Sequence, residues 1–387
     1  MDDKPFRADL AGIRPSAFAQ CGNSTAVHGS DRGPNHGRSH IRSLERTARS
    51  GLNDGGLVFC SQMAVTIYFV TSPIRRSRPP KKQRIIALWV GGLFALLLSS
   101  VGYADPFDDG LSAYRRNDFA TALQVWRALA ENGDAVAQVY LGLLYLNGEG
   151  TPQNPALAVM WYRKAADQGN AAAQHNLGWA YEHGRGAPQD FAQAVAWYRK
   201  AAEKNNTDAQ ISLGRAYEAG RGVEQDFEEA VEWYRKAADK GDPRGQTNLG
   251  TMYRLGHGVP KDYEEATIWY GKAAAQGDAD AENNLGMMHK MGAGVPQDYS
   301  KAFEWFHKAA DQGQATALYN IGAMYFIGQG VPKDSTQAYF WFELAATHAT
   351  DEATRSQAVK NRGLVAAAMT PAQIAEARRK ASEWAQK

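Results

Sequence analysis

The sequence predicts an all-α chain whose main body is an α-solenoid of tandem 36-residue helix-turn-helix repeats forming a right-handed superhelix. Three observations predict it: a strict period of 36 residues, an apolar stripe of helical spacing in each half of the period, and a link of glycines and a proline between the halves. The units begin at Ala135, Ala171, Thr207, Pro243, Ala279 and Ala315. Six tandem copies exclude coincidence.

Each half of the unit has its own physical logic. In the first, Ala173, Leu177 and Tyr181 recur at i, i+4 and i+8 and draw one stripe along a helix, helix A, where Gly178 leaves room for a neighbour to approach closely. In the link from His183 to Gln189, Gly184 and Gly186 are free to take positive φ and Pro188 blocks continuation of the helix. Asp190 then caps helix B, with Gln193 three residues on as the second half of a capping box; Asp226 and Glu229, Asp262 and Glu265, and Asp334 and Gln337 repeat the pattern. In the first unit Asn154 and Pro155 serve the same end. Helix B presents Ala194, Trp197, Tyr198, Ala201 and Ala202, a stripe too wide for one partner. It must therefore pack on its own helix A and on the next unit, so stacking is obligatory.

The unit reads close to A-x-A-Q-x-N-L-G-x-x-Y-x-x-G-x-G-V-P-x-D-x-x-x-A-x-x-W-Y-x-K-A-A-x-x-G-x, and in this it resembles the Sel1-like repeat, a relative of the tetratricopeptide repeat. The resemblance covers about residues 107–387. It implies a non-catalytic interaction scaffold of the kind used in envelope signalling, exopolysaccharide assembly or virulence. Five segments are expected: an N-terminal extension over 1–80, a signal peptide over 81–104, a tetratricopeptide-like capping hairpin over 105–134, six repeats over 135–350, and C-terminal capping helices over 351–387. In the last, Ile374 and Trp384 are expected to face inward while Glu376, Arg378, Arg379, Lys380 and Glu383 face water.

Charge is divided along the chain. Residues 1–104 carry 14 Lys and Arg against 6 Asp and Glu, whereas residues 105–387 carry 29 against 35. An acidic body argues against binding a phosphate backbone, so nucleic acid is excluded as a partner. Lys81-Lys82-Gln83-Arg84, the 16 apolar-rich residues 85–100, and Gly102 and Ala104 at −3 and −1 of a cut read as a secretory signal peptide cleaved after Ala104. A membrane anchor needs about 20 apolar residues, so no stable insertion is expected after cleavage. The mature protein is expected to be periplasmic or secreted. Cys21 and Cys60 both precede the cut, which leaves the mature chain without disulfides, thiolate nucleophiles, Cys-ligated zinc or a lipidated cysteine.

Most recurring residues read as architecture. Trp161, Trp197, Trp233, Trp269, Trp305 and Trp341 occupy one helix-B position, as inter-repeat packing requires. One carboxylate per link falls short of a calcium site, and His175, His183, His257, His289, His307 and His348 lack partners at ligand spacing. No metal or cofactor is expected, and no nucleophile elbow, P-loop or dinucleotide fingerprint suggests catalysis.

The candidate site is the column just before Leu-Gly on helix A: Tyr140, Asn176, Ser212, Asn248, Asn284 and Asn320. In tetratricopeptide proteins, which the repeats resemble, an asparagine at the matching position holds the main chain of an extended peptide in the concave groove. An amide offers both donor and acceptor, so it can satisfy any peptide backbone; the same amide could equally bond the adjacent helix, and both readings stand at this level. Two neighbouring columns vary as a specificity surface would: Val139, His175, Ile211, Thr247, Asn283 and Tyr319, and Leu143, Trp179, Arg215, Thr251, Met287 and Ala323. The expected partner is a protein or peptide. A cell-wall or exopolysaccharide ligand held by aromatics such as Trp179 is the alternative. A remoter one is β-lactam hydrolysis, implied by resemblance to cysteine-rich Sel1-like proteins, whose paired cysteines these repeats lack.

Overall fold

The computed structural model describes residues 106–384, and the regular structure among them is entirely α-helical. Sixteen helices follow one another: α1 (Pro106–Arg115), α2 (Phe119–Glu131), α3 (Ala135–Asn147), α4 (Pro155–Asp167), α5 (Ala171–His183), α6 (Phe191–Glu203), α7 (Thr207–Ala219), α8 (Phe227–Asp239), α9 (Pro243–Leu255), α10 (Tyr263–Ala274), α11 (Ala279–Met291), α12 (Tyr299–Asp311), α13 (Ala315–Ile327), α14 (Ser335–His348), α15 (Glu352–Ala366) and α16 (Pro371–Trp384). From α3 to α14, odd helices are helix A and even ones helix B. From α1 to α15 each helix packs on its chain neighbours, A on B within a unit and B on the next A, and α16 packs back on α14, so the array is a solenoid with no long-range closure among the described residues. None of these helices is long and apolar enough to cross a membrane. The extension, the targeting segment, Cys21 and Cys60 lie outside the described residues.

The A–B contact within each unit is a ring set against a glycine. Tyr162, Tyr198, Tyr234, Tyr270, Phe306 and Phe342 from helix B are fully buried. Each covers the helix-A glycine of its own unit: a Cβ on Gly178 would sit 2.6 Å from the Tyr198 ring, and one on Gly286 2.5 Å from Phe306. Removing the side chain lets the helices approach until the aromatic face meets bare backbone. The tryptophan column packs between units, with Trp161, Trp197 and Trp341 buried. On its outer side a lysine three residues on lies over the indole, as Lys200 does at 3.8 Å from Trp197 and Lys236 at 3.7 Å from Trp233.

Bonds between units repeat as regularly. Arg163, Arg199 and Arg235 each donate to the Tyr hydroxyl of the next helix A, at Tyr181, Tyr217 and Tyr253. Gln138, Gln174, Gln210 and Gln246 donate to the buried C-terminal end of the preceding helix B, at the carbonyls of Ala130, Ala166, Ala202 and Ala238. Each of these carbonyls also accepts a backbone N–H, from Gly133, Gly169, Asn205 or Gly241, so the amide adds a second donor that ties the next helix A to the end of helix B.

The links close as the glycines and aspartates suggest, with one correction. Gly184 and Gly186 take φ of 63° and 83°. Asp190 accepts from the Gln193 N–H at 2.9 Å, and Asp226 from those of Glu228 and Glu229 at 3.0 Å. The reciprocal half of the capping box is absent here, because each cap's own N–H is already donated to a tyrosine carbonyl in the last turns of helix A: Asp190 to Tyr181 at 2.9 Å, Asp226 to Tyr217 at 3.0 Å. That bond pins the two ends of the link together. Among the described residues a complete box forms at α16, where no such carbonyl competes: the Gln373 side chain accepts from the Thr370 N–H and the Thr370 hydroxyl accepts from the Gln373 N–H. At this end of the array Ile374 packs against the cluster of Ala338, Tyr339, Phe342, Val365 and Ala377, and the Trp384 ring meets Trp341 edge-on at 6.4 Å.

Candidate functional site

Helix A holds the candidate residues at fixed stations of a repeated element, so their positions relative to one another follow from the period. The structure divides the column. Tyr140 is only 3% exposed and sits against Trp126 and Phe107, closing the interface between the first repeat and the hairpin before it. Asn320 is 6% exposed and donates to Asn283 on the preceding helix A at 3.0 Å. The Ser212 hydroxyl lies 3.4 Å from His175 Nε2, again one helix A back. These three are tied to neighbouring helices.

Asn176, Asn248 and Asn284 are half-buried and sit at the edge of the same face. The Asn248 Nδ2 is shielded from water yet has no hydrogen-bond acceptor among the described residues. An amide donor in that state costs roughly 1–3 kcal/mol until something accepts from it. Beside it run Trp179, Arg215, Thr251, Met287 and Ala323, of which Arg215 is exposed and the others half-buried, whereas Leu143 is buried. Trp179 is stacked on His183 at 4.5 Å.

The other variable column lies deeper than sequence reasoning placed it. Val139, His175, Ile211, Thr247 and Asn283 are buried between consecutive A helices, and only Tyr319 is half-exposed. Their variety reflects the different contacts each makes: the His175 ring lies tilted against Tyr198 of its own unit at 5.4 Å, and Thr247 donates to Asp278, the cap of the next helix A, at 2.9 Å. Burial holds the His175 imidazole below the usual histidine range, against the pull of the Asp208 carboxylate. Burial likewise raises the Asp278 carboxyl.

A charge gradient that the column reading missed runs along helix A, six residues after the asparagine station. Glu182 and Glu218 occupy it in the second and third repeats and accept from the Tyr198 and Tyr234 hydroxyls at 2.5 and 2.6 Å. In the fourth, Arg254 Nε approaches the Tyr270 hydroxyl at 3.3 Å, and in the fifth the station holds Lys290 opposite a ring, Phe306, that has no hydroxyl. Partial burial lowers the affinity of the Lys290 amine for its proton. The 36-residue alignment displayed this switch of sign, but its meaning depends on which helix-B ring each residue meets. Among the described residues no cluster of three or more His, Cys, Asp and Glu could hold a metal ion.

The comparisons with known proteins agree with this architecture. A family model described as the Sel1 repeat matches residues 135–170, 171–206, 207–242, 243–278, 279–314 and 315–349. The chain is similar to the crystal structure of a Sel1 repeat protein from Oxalobacter formigenes, at 35% identity and a TM-score of 0.60 over 64% of this chain and 98% of that one. It is also similar to c5321, a protective antigen of uropathogenic Escherichia coli strains with the same class of repeat, at 26% identity and a TM-score of 0.39 over 73% of this chain and 84% of that one. No curated protein matches. Proteins built of this repeat are generally protein-interaction scaffolds. With six such units joined without a gap over residues 135–349, the chain belongs to the Sel1 repeat family.

Proposed function

We propose that the protein is an interaction scaffold of the bacterial cell envelope, periplasmic or secreted after cleavage behind Ala104, that holds an extended segment of a protein partner along its helix-A face. The observation that carries this reading is the Asn248 amide, half-buried on that face, whose shielded Nδ2 has no acceptor among the described residues, so that turning the side chain outward gives up no hydrogen bond of that donor and presents it to a partner. A peptide carbonyl is the acceptor that would complete it. Asn176 and Asn284, at the same station one or more repeats away, extend the row.

Asn248→Ala combined with Asn284→Ala is expected to weaken partner capture from a periplasmic extract about thirtyfold, at roughly 1 kcal/mol for each lost hydrogen bond. The melting temperature should stay within about 2 °C of the parent, because neither side chain anchors a neighbouring helix. A large fall in melting temperature would assign the pair to structure. Retention of glycans unchanged by the substitutions, with no protein captured, would favour the carbohydrate alternative.

The location has its own test. Expressed with its complete leader, the protein should be recovered from the periplasm or medium with Asp105 as its first residue by N-terminal sequencing. Recovery from membranes with residues 85–100 still attached would refute secretion.

A further inference from the structure

The final residue of helix A changes character halfway along the array. In order it is Asn147, His183, Ala219, Leu255, Met291 and Ile327. The first three are polar or small, and the last three are large aliphatics exposed at 40%, 49% and 59%. None of these three belongs to a core cluster or packs against one. They also fall outside the apolar contact that accompanies a left-handed helix cap, which joins positions on either side of them. Folding accounts for none of the three, yet they recur at 36-residue spacing on adjacent units.

Each stands seven residues beyond the asparagine station, with Thr251, Met287 or Ala323 between, so the row continues the helix-A face already described. Cations accompany it. Arg254 and Lys290 immediately precede Leu255 and Met291, and Lys261 and Lys333 lie in the links that follow Leu255 and Ile327. In the other four repeats the position of Lys261 and Lys333 is glutamine, and Gln153, Gln189, Gln225 and Gln297 each cap helix A by donating to the carbonyl of Leu146, Glu182, Glu218 or Lys290 at 2.8 to 3.0 Å. Lysine in the fourth and sixth repeats gives up that bond. None of the four cations forms a salt bridge among the described residues, and the nearby Asp262 and Asp334 are engaged as helix caps. Arg254 bonds the Tyr270 hydroxyl, and Lys261 and Lys333 lie over the Tyr263 and Phe326 rings at 4.8 and 5.9 Å, so none of these contacts neutralises the charge. An apolar row edged by cations without carboxylate partners, on a body with an acid excess, complements one chemistry: large aliphatic side chains interspersed with carboxylates.

We propose that the row Leu255, Met291 and Ile327, with Arg254, Lys261, Lys290 and Lys333 beside it, docks an acidic, leucine-like segment of a partner protein. This rests on the groove reading and names the chemistry of the segment the groove takes. Aliphatic contacts supply the attraction at close range, and the cations steer the acidic segment in and set its polarity.

The probe is a fluorescein-labelled synthetic 12-residue peptide alternating Glu and Leu, tested by anisotropy on the full chain against two twins, one with Lys for Glu and one with Ser for Leu. Only the Glu-Leu peptide should bind, with an affinity that falls at least threefold between about 50 and 300 mM salt. Leu255→Ser, Met291→Ser and Ile327→Ser together should weaken it tenfold or more. Lys261→Glu, Lys290→Glu and Lys333→Glu together should move the preference to the Lys twin. Both sets should leave the melting temperature unchanged.

No binding of the Glu-Leu peptide at about 100 µM, equal binding of the twins, or indifference to the serine set would overturn the proposal. So would a concentration-dependent dimer that the serine set abolishes, since the row would then belong to a second copy of the chain. The asparagine pair separates the two readings. If Asn248→Ala and Asn284→Ala release the peptide while the serine set keeps it, the groove stands and the docking row falls; the opposite pattern keeps the row and removes the asparagines.

Discussion

Tyr234→Ala is expected to lower the free energy of unfolding by about 4 kcal/mol, the usual cost of emptying a buried aromatic site. Tyr234 is fully buried, and its ring lies over Gly214 of the same repeat, where a Cβ would stand 2.6 Å away. Gly214→Ala in the parent should therefore cost about 2 kcal/mol, since the ring, held by α7 on one side and by its own helix on the other, has little freedom to yield. In a Tyr234→Ala background the sign should reverse. With the ring gone, alanine in mid-helix is worth up to about 1 kcal/mol over glycine and fills part of the hole. Urea titrations of the four variants close the cycle, and a Gly214→Ala change that is neutral in both backgrounds would show that the ring and the glycine are not coupled.

Gly186→Ala is expected to be the most damaging single-methyl change in a link, and Gly184→Ala a mild one, although the two are two residues apart and both have positive φ. At Gly184 the nearest atom to an added Cβ is 3.4 Å away, on Gln189, so the change costs only the left-handed backbone, about 1–2 kcal/mol. At Gly186 the Cβ would press into the Pro155 carbonyl and lie 2.9 Å from Val159, both on the preceding helix B. Backbone cannot step aside as a side chain can, so the link must separate from the previous unit, at about 3–4 kcal/mol in total. Thermal melts followed by circular dichroism should place Gly186→Ala about 10 °C below the parent and Gly184→Ala about 4 °C below it. Equal shifts would mean that the second glycine serves local conformation alone.

Much of this was legible in the sequence because a solenoid resolves into one unit and one interface, both displayed six times. The alignment located Gly178 as a place of close approach and Asp190 as a cap without reference to the rest of the molecule. The capping box at Asp190 misled because its reciprocal bond competes with the Tyr181 carbonyl, and only the folded link brings that carbonyl within reach. The candidate column fared similarly. Whether Asn320 or Asn248 meets another residue depends on what the adjacent helix A carries one position earlier in its unit: Asn283 accepts from Asn320, while Ile211 offers Asn248 nothing. That relation runs across 37 residues and combines the helical pitch with the tilt between units, neither of which a single-unit pattern encodes. The exposed Leu255, Met291 and Ile327 were readable as a column, but a column of aliphatics reads as core until its exposure is known.

The bond from Arg163 to Tyr181 is repeated from Arg199 to Tyr217 and from Arg235 to Tyr253, each time across the same 18 residues. Removing residues 207–242 as a block would bring Arg199 against Tyr253 and Asn206 against Pro243, reproducing a seam already present elsewhere. Length is thus an independent variable of this molecule. Unequal crossing-over within the gene can lengthen or shorten the array by whole units without inventing a new contact, and each such event moves the acidic and basic stretches of helix A closer together or further apart.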